Sequence, residues 1–108
     1  MSEHAIELDE NEFDDFVKDG KVMIDFFADW CMPCTMMSPI VEDMAEKFKG
    51  KIKIAKVNVS DSSKIAQKFN VNSIPNFTFL KDGKVVDQII GAVSEDDLED
   101  KLNELEKE

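Results

Sequence analysis

The sequence predicts an α/β fold, a central mixed β-sheet of about five strands flanked by about four helices. Three observations carry this. Strand-like and helix-like segments alternate along the 108 residues. The run Val22-Met23-Ile24-Asp25-Phe26-Phe27 is almost continuously apolar, as expected for a central strand covered on both faces. Near the C-terminal end, Lys81-Asp82-Gly83-Lys84 separates two strand-like runs and reads as a hairpin turn, because Asp-Gly supplies the positive φ a tight turn needs.

Taken in order, Ile6–Leu8 is a short first strand. Asp9-Glu10-Asn11-Glu12 then has the form of a helix cap with its acidic partner three residues on, opening a helix through Val17. Phe13, Phe16 and Val17 give that helix one apolar face, and Gly20 ends it. After the central strand, Met37, Ile40, Val41, Met44, Ala45 and Phe48 recur at helical spacing, predicting a helix from about Cys34 to Phe48. Pro39 lies inside it and is expected to kink it, and Gly50 closes it. Ile52–Val59 alternates as a strand does. Asp61 or Ser62 caps a short helix carrying Ile65, Ala66 and Phe69. Asn76–Leu80 and Val85–Ile90 are the hairpin strands. Ser94-Glu95-Asp96-Asp97 opens the last helix, with acids suited to its dipole and a core stripe of Leu98, Leu102 and Leu105. Glu106 and Glu108 oppose the dipole at the far end, so that end is expected to fray.

One domain over 1–108 fits the length, and 43% apolar residues suffice for one core. A chain of this size buries roughly two thirds of the surface its unfolded form exposes. The formal net charge is −11, from thirteen lysines, no arginine and twenty-four acids. That balance argues against nucleic-acid binding, because phosphate contacts need a basic surface. The N-terminal residues Met1–Glu7 lack the basic and apolar regions of a signal peptide, and the apolar runs are short, so a membrane span is not expected. Two cysteines in such a chain suggest a reducing, cytoplasmic setting.

Those two cysteines lie in Asp29-Trp30-Cys31-Met32-Pro33-Cys34, with the only tryptophan beside them. Cys31–Cys34 closes too short a loop to be a useful staple. Three readings compete. A zinc site needs about four ligands, and only Cys31, Cys34 and His4 are available as thiolate or imidazole. An inert pair of small core residues explains Cys34 but not Cys31, which follows a turn and precedes a proline. The redox reading accounts for both. A strand ends at Phe27–Ala28 and a helix begins near Cys34, which puts Cys31 at a helix N-terminus. Unpaired N–H groups and the macrodipole there stabilise a thiolate, the attacking species. Pro33 costs little in a first turn. Cys34, further in, is expected to be more buried. Cys31 attacks a target disulfide, and Cys34 then attacks Cys31 and releases the reduced target.

The second step needs a base. Asp25 is the one charged residue in a strand fit for the core, and an unpaired buried carboxylate has a raised pKa and can shuttle a proton. The alternative is that Asp25 faces water at a strand end. Lys56, on the neighbouring predicted strand, is a candidate partner. Ile74-Pro75 precedes the hairpin, where spacing alone favours an ordinary trans proline in a loop.

Together these segments resemble the thioredoxin family over nearly the whole chain. The signature runs Val22-Met23-Ile24-Asp25-Phe26-Phe27-Ala28-Asp29-Trp30-Cys31-Met32-Pro33-Cys34. Pro39 matches the family's kink proline, Ala55-Lys56-Val57-Asn58 its third strand, Ile74-Pro75 its cis-proline dipeptide, Phe79-Leu80-Lys81-Asp82-Gly83 its hairpin and Gly91-Ala92 its glycine loop. The resemblance implies the thioredoxin fold and a cis bond at Pro75, against the trans expectation from spacing. It implies that Cys31 is the nucleophile and Cys34 the resolving thiol. Asp25 is then the buried acid with Lys56 near it. Trp30, Ile74, Pro75, Gly91 and Ala92 form the docking surface, where the Ile74 backbone can pair with an extended segment; Pro75 is counted with the catalytic residues as well, and Met32 and Pro33 are further candidate substrate-binding residues.

Three positions depart from the family pattern: Met32 for glycine, Thr35 for lysine and Phe27 for tryptophan. Losing the lysine weakens thiolate stabilisation at Cys31. Met32 adds a flexible apolar side chain. The expectation is a monomeric, cytoplasmic protein-disulfide reductase. It would need no metal or cofactor beyond its redox-active disulfide and would serve as a general electron donor recharged by a thioredoxin reductase. Two alternatives stand beside it: a disulfide oxidase or isomerase of the same fold, and a redox-independent module that binds proteins through the same surface.

Overall fold

The computed structural model describes residues 5–108. Among them are strands β1 (Ile6–Glu7), β2 (Lys21–Phe27), β3 (Lys53–Asn58), β4 (Asn76–Lys81) and β5 (Lys84–Ile90). The helices are α1 (Glu10–Val17), α2 (Met32–Lys47), α3 (Ser63–Lys68) and α4 (Glu95–Glu106). The sheet order is β1-β3-β2-β4-β5. β1 and β2 both run parallel to β3, while β4 is antiparallel to β2 and β5 to β4. The mixed sheet expected from the sequence is therefore present, with β2 at its centre.

Successive side chains of a strand point to opposite faces, so β2 serves two cores. Val22, Ile24 and Phe26 pack with Phe13 and Val17 of α1 and Ile65 of α3. Met23 packs with Phe77 and Phe79 of β4, Met37, Val41 and Met44 of α2, and the α4 stripe Leu98, Leu102 and Leu105. Fully burying each such side chain is worth about 1.5–3 kcal/mol. Asp25, two residues from Met23, shares this second face by alternation.

Local chemistry sets the ends of the elements. Asp9 caps α1 by accepting from the Asn11 and Glu12 amides, and Glu12 returns a bond to the Asp9 amide, so the predicted capping box is complete. Asp82 (φ 50°) and Gly83 (φ 83°) form the two-residue turn between β4 and β5. Ser62 is the first-residue cap of α3 but makes no side-chain capping bond. Ser94 caps α4 through the Asp97 amide.

Two expectations about helix ends change. α2 starts at Met32 rather than near Cys34, because Cys31 is itself the cap and Pro33 sits in the first turn. α4, whose far end was expected to fray, is helical through Glu106. Lys21 of β2 donates to the Glu106 carbonyl and Lys51, in the turn before β3, lies 3.7 Å from the Glu106 carboxylate, so cations from outside the helix supply what its end lacks.

Candidate active site

The site lies where β2 runs out. Ala28, Asp29 and Trp30 turn the chain from Phe27 into α2, with the Cys31 amide donating to the Ala28 carbonyl at 3.2 Å. Cys31 and Cys34 are joined as a disulfide with their Cα atoms 5.3 Å apart. Cys31 is the N-cap of α2, and its Sγ accepts the Cys34 amide at 3.2 Å. An N-cap side chain normally supplies an oxygen at this place; here a sulfur takes the role. The Cys31 carbonyl accepts from Thr35 twice, from the amide at 3.1 Å and from Oγ1 at 3.3 Å. A helix of 16 residues thus directs one first-turn N–H, that of Cys34, and its positive dipole end at the first sulfur.

Burial does not rank the two sulfurs as expected. Cys31 and Cys34 are each 5% exposed. They pack with Ala28, Phe27, Val59 and Ile74. What sets Cys31 apart is its place as helix cap.

The peptide Ile74–Pro75 is cis, as the resemblance implied and the spacing argument did not. Tertiary contacts surround it: Pro75 is buried, Ile74 packs on the disulfide, and the Pro75 carbonyl accepts the Gly91 amide at 2.8 Å. Gly91 has φ 95°, which an L side chain rarely adopts, and Ala92 follows it exposed. The structure therefore gathers Trp30, Met32, Pro33, Ile74, Pro75, Gly91 and Ala92 at the end of the sheet that carries the disulfide.

Asp25 does not face water. It is 2% exposed, and its Oδ1 is the one buried side-chain oxygen or nitrogen among the described residues without a hydrogen bond. Burial pushes its pKa up to about 7, while the charge of Lys56 pulls it back. Lys56 lies opposite Asp25 in the parallel register of β2 and β3. Lys56 is thus near Asp25, but the candidate partnership is not a direct ion pair among the described residues: its ammonium sits 4.7 Å from the centre of the Phe27 ring. Lys56 then lines a cleft of about 180 Å³ beside Cys34, together with Ala28, Asp29, Thr35 and Ser38.

Two site features were not singled out in the sequence. Ser38 borders the cleft, beside Asp29 and Thr35. Met36 is 70% exposed, as open as Met32 at 69% and Trp30 at 75%. Its i+4 spacing from Met32 was the available signal. His4, the third residue considered as a zinc ligand, lies outside the described residues.

Two sulfurs that open and close a ring at a helix N-terminus perform thiol–disulfide exchange, and this fold with this site defines a thiol–disulfide oxidoreductase. The sequence profile of the Thioredoxin family matches residues 4–104. A thioredoxin of Chlorobaculum thiosulfatiphilum is 42% identical over 86 residues, 80% of each chain. One from Porphyra purpurea is 44% identical over 85 residues, 79% of each. One from Pseudomonas aeruginosa is 36% identical over 100 residues, 91% of this chain and 93% of that one. A chain in a solved structure on the thiol resolving mechanism in yeast mitochondrial 1-Cys peroxiredoxin via glutathione/thioredoxin systems superposes with a TM-score of 0.84. It is 32% identical and covers 94% of this chain and 95% of its own. The chain belongs to the thioredoxin family and is a reductase that works by dithiol–disulfide exchange.

Proposed function

We propose that the chain is a general electron donor to protein disulfides, with each step assigned to a residue. The Cys31 thiolate attacks one sulfur of a target disulfide; the Cys31–target bond forms as the target's bond breaks, and the other target sulfur leaves as thiolate. Asp25 takes the proton of Cys34, whose thiolate attacks the Cys31 sulfur. The Cys31–Cys34 bond forms and the second target thiolate leaves, so two electrons have moved from the dithiol to the target. The observation that carries this is the cap geometry: Cys31 Sγ receives a main-chain N–H from the helix it opens, and Cys34 Sγ does not. An acid held near neutral pKa suits Asp25 to its step.

In this reading the targets dock on Trp30, Met32 and Ala92 and pair with the Ile74 backbone beside Pro75. A thioredoxin reductase restores the dithiol. The protein works as a monomer in the cytoplasm; the site is complete within one chain, and the two-cysteine composition suits a reducing compartment.

Insulin reduction with dithiothreitol as donor tests the activity. Turnover no faster than the dithiothreitol background in a folded sample would refute the reading. Cys31→Ser is expected to fall to that background, whereas Cys34→Ser traps targets as mixed disulfides. A Cys31→Ser protein as active as wild type would reverse the assigned roles.

A further inference from the structure

The five methionines among the described residues divide sharply. Met23, Met37 and Met44 are buried in the core at 0%, 2% and 1% exposure. Met32 and Met36 are 69% and 70% exposed. They lie four residues apart on α2, so they share one face of its first two turns, and Met32 stands between the two cysteines. Trp30, 75% exposed, adjoins them across Cys31. The two open thioethers are therefore part of the surface that meets the target, and the three closed ones are not.

Thioether sulfur is oxidised by peroxides to the sulfoxide, which is polar and chiral where the methionine was apolar and flexible. In the disulfide form the usual first victims are protected: Cys31 and Cys34 are each 5% exposed and carry no thiolate. Oxidant reaching this end of the molecule meets the methionines instead.

We infer that Met32 and Met36 are a reversible oxidation site, attacked by peroxide while the disulfide is closed, whose sulfoxides weaken docking of protein targets. The inference rests on the docking surface assigned above. Each event is a two-electron oxidation: the methionine sulfur gains one oxygen atom from hydrogen peroxide, and water leaves. Methionine sulfoxide reductases reverse it, with a thiol donor supplying two electrons and two protons and the oxygen leaving as water. The chemical step at Cys31 is untouched, so the loss falls on KM for protein disulfides and spares a small aromatic disulfide that makes no use of the surface.

The test oxidises the disulfide form of the whole protein with hydrogen peroxide, removes the oxidant and maps the added oxygen by peptide mass spectrometry. Met32 and Met36 are expected to be modified well before Met23, Met37 and Met44. Insulin reduction should then show a KM raised about five- to tenfold with kcat little changed. Treatment with methionine sulfoxide reductases and dithiothreitol should restore the starting KM. A Met32→Leu/Met36→Leu protein should show no change on peroxide treatment, whatever its starting activity. Equal oxidation of buried and exposed methionines would overturn the inference, as would an unchanged KM after selective oxidation or a KM that repair does not restore. Failure of untreated protein to reduce insulin would overturn the parent reading, and this inference with it.

Discussion

The two faces of the central sheet bury polar groups in opposite ways. On the α1/α3 face, Thr78 and Asn76 are 0% and 1% exposed, and a chain of bonds satisfies them. Thr78 Oγ1 donates to Asn76 Oδ1 at 2.8 Å, and Gln88 Nε2 donates to Thr78 Oγ1 at 3.0 Å and to the Phe69 carbonyl at 3.4 Å. On the α2/α4 face, Asp25 is equally deep and its Oδ1 has no protein partner among the described residues. A carboxyl left unpartnered costs stability and gains a pKa near 7. The expense is localised to the side of the sheet that carries the disulfide, as expected where chemistry rather than stability sets the residue.

Asp25→Asn probes that difference with the largest effect. A carboxyl whose pKa rises from 3.8 unfolded to about 7 folded binds more protons in the native state between those values. Its contribution is fully favourable below about pH 4 and is lost as pH rises towards 7. Asp25→Asn should remove this slope and leave the disulfide form more stable than wild type at pH 8, by on the order of a few kcal/mol. The same variant should resolve mixed disulfides at least about tenfold more slowly. Parallel urea titrations at several pH values check the first point, and quenched-flow trapping checks the second. Identical pH slopes for variant and wild type would mean that Asp25 is not the titrating group.

Thr78→Val is the matching change on the other face. It strands Asn76 Oδ1 and leaves Gln88 Nε2 only the Phe69 carbonyl, and should cost about 1–3 kcal/mol with no pH dependence of its own. A cost that varied with pH in the manner of Asp25 would collapse the contrast between the faces.

Thr35→Lys acts at the rim. Adding a cation one turn into α2 should lower the Cys31 pKa by less than about one unit, read from the ultraviolet absorbance of the thiolate. An unchanged or raised pKa would show that the lost family lysine does not explain this chain's redox character.

The smallest effect belongs to Lys101, which reaches Asp87 at 2.6 Å and Glu104 at 3.1 Å on the surface. Lys101→Ala should cost under about 1 kcal/mol at neutral pH. Asp87 has the opposite sign to Asp25: its hydrogen bond to Lys101 holds the carboxyl below its usual range, so that contribution is present at neutral pH and fades in acid. Thermal melts near pH 7 and in acid would show the difference between wild type and Lys101→Ala shrinking as pH falls.

Much of this was legible along the chain because it depends on near neighbours. The capping box at Asp9 and Glu12, the Asp82-Gly83 turn and the Leu98, Leu102 and Leu105 stripe rest on residues at most a few positions apart. Periodicity and capping record such distances directly. Asp25 was legible for a related reason: one carboxylate in an otherwise apolar strand is an exception to its pattern. Helix ends were less so. α4 reaches Glu106 because Lys21 and Lys51, distant in sequence, face its last turn.

By itself, then, the sequence determined the alternating α/β order, the central position of β2 and the pairing of Cys31 with Cys34 at a helix start. Each follows from local pattern and from the short reach between residues 31 and 34. Only the tertiary structure decided how distant segments meet there. It brings Gly91 and Ile74 to the cis bond at Pro75, buries both cysteines equally, and leaves Lys56 over Phe27 instead of bonded to Asp25. It also separates two open methionines from three closed ones, because exposure depends on which helix face meets the sheet.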